Sequence, residues 1–267
     1  MTLFFSACDG RSEGTKLDAD PDVVDDSGSD GDVDADTNAE TPKCDTHIFE
    51  EISIPMADGA ELSAFVRRAE DEGCTLPTIL IQTPYNKENG RTIWFNTTEP
   101  GPLFASMDYN FVVLDWRGFF GSVGQPNNPD RTHKGFDGYD AVEWIADQPW
   151  SDGKVGTWGI SALCTVQYQT AQLKPPSLKA MVPIFCSMNN SYEQHYPGGV
   201  LRREYINFLS TYYGVSAQLY EDHPFQDNLW NYLGSVHKYF NVEAPALVVA
   251  GWYDLYNTGT IHDWRQL

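Results

Sequence analysis

A rhythm of short apolar runs alternating with amphipathic stretches constrains this chain more than any other feature of its 267 residues. Thr78 to Gln82, Phe111 to Asp115, Lys154 to Trp158, Leu178 to Ile184 and Ala246 to Ala250 each have the length and apolar content of a buried strand. Between them, Pro100 to Tyr109, Gly138 to Gln148 and Ala162 to Leu173 read as helices; Tyr139, Val142 and Ile145 recur at helical spacing, and Pro149 ends that pattern. Strand–helix alternation of this kind predicts an α/β fold with a mostly parallel sheet covered on both faces. Ligands bind such sheets beyond the carboxyl ends of the strands. From about 190 to 243 the rhythm breaks into a stretch rich in Tyr, Asn, His and Phe, with helical patches such as Leu201 to Tyr212. Its place between two strands predicts an inserted helical cap.

Ahead of the alternation, Asp58-Gly59 separates the alternating runs Ile52 to Met56 and Leu62 to Val66, which predicts a β-hairpin. In a hairpin centred there, facing residues have numbers adding to about 117, and Cys44 and Cys74 add to 118. Those two cysteines are expected to form a disulfide at the open end of the ribbon, in an oxidising compartment. Cys164 and Cys186 have no comparable geometric argument for pairing.

Residues 9 to 45 hold 13 Asp/Glu and 3 Lys/Arg, a net of −10 within a total of −21. With few large apolar residues this segment cannot offset its ordering entropy, so residues 1–45 read as a leader and disordered linker ahead of a domain at 46–267. The Asp-rich stretch Asp30 to Asp36 is not an EF-hand loop: counted from Asp32, Thr37 and Lys43 occupy the places that need glycine and glutamate. The acidity elsewhere argues against nucleic-acid binding. The opening Leu3-Phe4-Phe5-Ser6-Ala7-Cys8 resembles the cleavage box of bacterial lipoproteins, though it lacks a positive n-region and most of an apolar h-region. The expectation is lipidation at Cys8, a start inside a signal peptide, and an extracytoplasmic domain in a bacterium, held to the membrane by that anchor alone.

The chemistry concentrates at Val155-Gly156-Thr157-Trp158-Gly159-Ile160-Ser161-Ala162, where a predicted strand runs through Gly-x-Ser into a predicted helix. This is the pattern of a nucleophile elbow, which lifts the Ser Oγ clear of the sheet and aims the next backbone N–H at a developing oxyanion. The plainer alternative is a Ser that caps the helix. Chain order adds a second member: Gly251-Trp252-Tyr253-Asp254 follows the strand Ala246 to Ala250, where an acid that orients a histidine belongs.

Met56-Ala57-Asp58-Gly59, Thr83-Pro84-Tyr85-Asn86-Lys87, Asp115-Trp116-Arg117-Gly118, Gly138 to Ile145, Gln148 to Gly156, Trp158-Gly159-Ile160-Ser161 and Gly251 to Asp254 together resemble, in order, the cocaine-esterase and X-Pro dipeptidyl-peptidase family. The resemblance covers about residues 47 to 267. It implies an α/β-hydrolase fold and a serine hydrolase with no cofactor or metal, Ser161 as nucleophile and Asp254 as acid. It also implies Tyr85 O–H and Ala162 N–H as the oxyanion hole and Tyr256 as a lining residue of the acyl pocket. The chain departs from the family at Ala162, where an aromatic is usual, and at Cys164, where Gly is usual and a side chain is expected to disturb helix packing.

The family histidine lies about thirty residues past the acid, and a jelly-roll domain follows it. The expectation is therefore that this chain is part of a longer enzyme, with the base encoded beyond Leu267. His262 lies on the helix after Asp254; His195, His223 and His237 fall in the expected cap, and His133 precedes a helix. The expected substrate is an ester, an amide or an X-Pro peptide; Glu193 and Glu204 are the candidates for holding a peptide's free amine. The alternative function is a catalytically inactive, lipid-anchored binding protein on the same scaffold.

Overall fold

The strand Asn110–Asp115 (β4) is apolar without alternation because both of its faces are covered. Every residue in it is buried. Val112 and Leu114 join one apolar cluster with Leu80, Ala141, Val142, Ile145 and Tyr168, while Phe111 and Val113 join another with Phe65, Ile81 and Leu163. Successive side chains of a strand point to opposite faces, so a sheet covered on both sides needs such a run. The computed structural model describes residues 44–95, 108–126, 128–131, 134–188, 192–235 and 238–267. Cys8, the acidic linker up to residue 43 and most of the expected helix Pro100 to Tyr109 lie outside them.

Flanking β4 are His47–Pro55 (β1), Glu61–Ala69 (β2), Leu76–Thr83 (β3), Ser151–Ile160 (β5) and Leu178–Ile184 (β6). The sheet order is β1-β2-β4-β3-β5-β6. β1 and β2 form the expected hairpin, His47 facing Ala69 and Pro55 facing Glu61, and β2 runs antiparallel to β4. The remaining pairs are parallel. Gly59 takes φ 83° in the hairpin turn, which a side chain would strain. Residues 246 to 249 extend the sheet past β6 by parallel bridges at Met181–Ala246 and Ile184–Val249. Hydrogen bonds alternate between the two chains there: Met181 N to Pro245 O, Leu247 N to Met181 O, Val249 N to Pro183 O and Phe185 N to Val249 O, at 2.9–3.0 Å. This edge is sparser than the regular strand expected at Ala246 to Ala250, and it leaves Leu247 exposed.

Two helices, Gly135–Ala146 (α1) and Ala162–Ala171 (α2), pack together on one face of the sheet. They meet at Gly138, where a Cβ would stand 2.0 Å from Thr170 Oγ1; only glycine admits that approach. A helix that the sequence pattern did not reveal, Lys87–Phe95 (α3), begins directly after the Pro84 turn. Asp115 starts it from outside: its Oδ1 accepts from Lys87 N at 2.7 Å. Between β6 and residue 246 the described chain is helical, with Tyr192–His195 (α4), Arg203–Tyr213 (α5), Ala217–Glu221 (α6) and Asn228–Ser235 (α7). This segment buries a cluster of its own, Tyr196, Ile206, Tyr220 and Trp230. Asn257–Gln266 (α8) follows the last sheet segment. Among the described residues no helix is long and apolar enough to cross a membrane.

Cys44 and Cys74 are joined by a disulfide, their Cα atoms 5.7 Å apart. A second disulfide joins Cys164 to Cys186 across 5.9 Å. The side chain at 164 therefore does not loosen the packing of α2; it ties that helix covalently to the end of β6. Disulfides persist in oxidising compartments, so this pair points to an extracytoplasmic location.

Candidate active site

β5 delivers Ser161 to the carboxyl edge of the sheet, as the strand–Gly-x-Ser–helix pattern requires. Ser161 has φ 60° and ψ −117°, a conformation that disfavours any side chain and costs about 1–3 kcal/mol. Gly159 makes the bend possible: a Cβ there would lie 2.3 Å from Leu163 Cβ. The elbow is fixed by Ser161 N donating to Ile184 O at 3.0 Å, and by Cys164 N and Thr165 N donating to Ser161 O. Ser161 precedes α2, yet its side chain makes no capping bond to that helix. The capping alternative fails on that observation, and the hydroxyl is left for the space in front of it.

Gln167, fully buried on α2, is the part of this construction that sequence reasoning missed. Its Nε2 donates to Gly159 O, Leu163 O and Val182 O, and its Oε1 accepts from Thr157 Oγ1 and Val182 N, all at 3.1–3.2 Å. One amide thus binds β5, the first turn of α2 and β6 together. A polar residue amid the apolar face of a helix was the signal in the sequence.

Ser161 and Ala162 line an open cavity of about 430 Å³ to which α5, α6 and α7 also contribute side chains. Tyr205, Phe208, Tyr213, Tyr220, Leu233 and Met188 are among its lining residues, with Trp116, Gln194 and Tyr256. No charged side chain appears among the described residues that line it. Ala162 stands at the first position of α2, where the backbone N–H groups point outward from the helix and favour negative charge. Tyr256 Oη donates to Tyr205 Oη at 3.1 Å, and Gln194 Nε2 donates to the same phenol at 2.8 Å. Burial pushes both of those phenols above their ordinary range.

Asp254 and Tyr85 do not line the cavity themselves; each touches a residue that does. Asp254 follows the sheet segment beside β6, and its Oδ1 accepts from Tyr256 N at 2.7 Å. The helix that continues from it, α8, is clamped to the segment that follows β6. Thr260 Oγ1 donates to Cys186 O at 2.6 Å, and the buried Asp263 accepts from Met188 N, Ser187 Oγ and Tyr239 Oη. Gly259 lies so close to Ser187 that a Cβ would be 2.6 Å from it. Burial raises the Asp263 carboxyl, and those three hydrogen bonds oppose the rise. Tyr85 sits in the turn between β3 and α3, its N–H on Thr83 Oγ1 at 2.9 Å and its carbonyl accepting from Asn89 Nδ2 at 2.7 Å. Its hydroxyl lies 2.7 Å from that of Tyr213.

No described histidine lines this cavity. His195 is buried against Tyr220, 4.7 Å between ring centroids, inside the helical segment's own cluster. His223 pairs with Asp227, and His262 is exposed beside Tyr239; His133 and His237 lie outside the described residues. Glu204 is exposed and away from the cavity lining, and Glu193 lines a different cavity of about 490 Å³ with Arg202 and His262. Among the described residues no group of three or more His, Cys, Asp and Glu is placed to hold a metal ion.

Comparison with known proteins follows this geometry. Cocaine esterase from Rhodococcus sp. (strain MB1 Bresler) is 26% identical over an alignment of 258 residues that covers 78% of this chain and 44% of the relative. The chain therefore spans less than half the length of that protein. A CocE/NonD family hydrolase from Staphylococcus aureus shares the fold with a TM-score of 0.64 at 25% identity, over 82% of this chain and 44% of the other. An aminopeptidase from the marine sediment archaeon Thaumarchaeota archaeon shares the fold, with a TM-score of 0.61 at 22% identity, over 90% of this chain and 48% of its own. The architecture is that of the α/β-hydrolases. The profile of the X-Pro dipeptidyl-peptidase (S15) family matches residues 58–219, more than half of the chain, and the chain belongs to that family of hydrolases.

Proposed function

We propose that this chain carries the nucleophile and acid of a serine hydrolase that cleaves an ester or amide through an acyl-enzyme. The observation that carries the reading is Ser161: strained, its side chain making no capping bond to its helix, and lining an open cavity at the carboxyl edge of the sheet. Ser161 Oγ attacks the substrate carbonyl carbon while a histidine outside the described residues takes its proton. Asp254 orients that histidine and stabilises the imidazolium. The carbonyl oxygen becomes an oxyanion, held by Ala162 N–H and Tyr85 O–H. Its collapse expels the leaving group, which takes the proton from the imidazolium, and water then releases the acyl group by the same path. One oxyanion donor contributes about 2.7–4 kcal/mol to such a transition state.

The uncharged lining supports an uncharged acyl group over a peptide bearing a free amine, since a buried ammonium needs a carboxylate partner. Tyr256 serves as one wall of the acyl pocket. A lipid anchor at Cys8 and an acidic spacer would stand the domain off a membrane. A fluorophosphonate probe applied to the full-length protein should label Ser161, with the site located by mass spectrometry. Labelling that leaves Ser161 unmodified defeats the proposal. Turnover of a p-nitrophenyl ester should exceed that of an X-Pro p-nitroanilide; the reverse order would assign the cavity to a peptide.

A further inference from the structure

We infer that Tyr213, at the end of α5, is the residue that positions the Tyr85 phenol for its role in the oxyanion hole. The inference rests on the proposal that Tyr85 is an oxyanion donor. The Tyr85 backbone is fixed on both sides, by Thr83 Oγ1 and Asn89 Nδ2, and Asn86 after it takes φ 75°. Its side chain is another matter: Tyr85 is 42% exposed, and two torsions separate its hydroxyl from that backbone. Among the described residues the hydrogen-bond partner of the phenol is Tyr213 Oη, at 2.7 Å. Tyr213 is well placed for this. It is the last residue of α5, its position set by the left-handed Gly214 (φ 67°) that closes the helix, and it lines the Ser161 cavity.

The chemistry of that role sets the direction of the bond. An oxyanion donor must keep its own proton for the substrate, so Tyr85 accepts from Tyr213, which lines the cavity, and its own O–H is kept for the oxyanion. A hydroxyl that accepts a hydrogen bond is also polarised into a stronger donor. Burial, followed by the contact with Tyr85, raises the Tyr213 phenol above its ordinary range, which keeps it protonated as that donor. The other phenol pair of the cavity, Tyr205 and Tyr256, is separate, with Tyr205 accepting from both Tyr256 and Gln194. The oxyanion hole is thus completed by the helical insertion, and how α5 seats governs turnover as well as substrate binding.

The test is a double-mutant cycle in the full-length enzyme with p-nitrophenyl acetate: Tyr85→Phe, Tyr213→Phe and both together, with matched thermal melts to exclude misfolding. Tyr85→Phe should lower kcat by roughly a hundredfold or more. Tyr213→Phe should lower kcat roughly three- to tenfold, the scale of one neutral hydrogen bond, with KM within about twofold. In the Tyr85→Phe background the second substitution should change nothing further. An equal loss from Tyr213→Phe in both backgrounds, a change confined to KM, or no loss at all overturns the inference. Turnover indifferent to Tyr85→Phe overturns the oxyanion reading itself, which the cycle separates from the first three outcomes.

Discussion

At the scale of single residues, Arg117 shows how a sequence motif can be structural beside a catalytic one. It is buried after β4. Its guanidinium meets Asp58 of the hairpin turn at 2.9 Å and Asp137 of α1 at 2.6 Å, and it also donates to Pro126 O. Arg131 and Asp140 continue the network, and Asp140 accepts from Ala57 N. Burial alone would raise the Asp58 carboxyl; the bonds from Arg117 and Ala60 N outweigh it and hold that carboxyl below its ordinary value. Removing the cation leaves the buried Asp137 without its ion-pair partner and Asp58 with only the longer ionic contact to Arg131 at 4.0 Å, so Arg117→Met should cost about 3–5 kcal/mol in urea unfolding at neutral pH. The pH dependence has a definite sign. A depressed carboxyl stabilises the fold above its unfolded value, about pH 4, and that stabilisation is lost as pH falls below it. Asp115, which burial raises against its bonds from Lys87 N and Gly121 N, acts in the opposite sense, but it does so in both proteins. The gap between wild type and Arg117→Met should therefore narrow below about pH 4. A gap independent of pH would show that Arg117 acts by packing alone. The sequence marked Asp58-Gly59 as a turn and Arg117 as part of a motif. It could not pair them, because 59 residues separate partners that only the sheet order brings together. Gln167 left a trace, a polar residue on an apolar helix face, but which three elements its five hydrogen bonds join could not be read from that trace.

At the scale of elements, legibility followed how far each one depends on its neighbours. β3 and β4 are buried along most of their length, and such strands announce themselves as apolar runs. The helix Lys87–Phe95 carries Asn89-Gly90 and no clean apolar stripe; it starts where Asp115 receives Lys87 N, a contact no local pattern encodes. The edge segment 246 to 249 has β6 on one side and, among the described residues, nothing paired on the other, so its regularity fades. The elbow was fully legible, because Gly159, Ser161 and the flanking strand and helix are local to one another. The Cys164–Cys186 bond was not, since it joins α2 to the far end of the neighbouring strand. Its two cysteines are 22 residues apart and both are buried in the main cluster. Closing a loop of that length restricts the unfolded chain, so a Cys164→Ala, Cys186→Ala double variant should lose about 2–4 kcal/mol. Its urea midpoint should drop while Cys44–Cys74 stays intact. A midpoint equal to that of the parent would mean that Gln167 and the elbow hydrogen bonds already hold α2 against β6.

At the scale of the whole described domain, two apolar interiors meet at one cavity. The sheet and its helices share the clusters built around β4, whereas the helical segment from Tyr192 to Asn241 packs Tyr196, Ile206, Tyr220 and Trp230 on one another. Trp230 is the hub of the second interior. Its ring lies 5.2–6.0 Å from those of Tyr192, His195, Tyr196 and Tyr220, and its Nε1 donates to His223 O. Regions with separate cores open separately, with free energies below that of global unfolding. Trp230→Ala should remove about 3–5 kcal/mol from the helical segment, which corresponds to amide exchange faster by at least a hundredfold across α5 to α7. Amides of β3 to β6 should keep their protection, because none of their packing partners is Trp230. KM should rise as well, since Tyr220 and Leu233 line the space in front of Ser161. Exchange accelerated equally in the sheet and in α5 to α7 would make the domain a single cooperative unit. In that case α5 to α7 could not shift away from Ser161 without unfolding the elbow itself, and substrate would have to enter through the opening that the cavity already has.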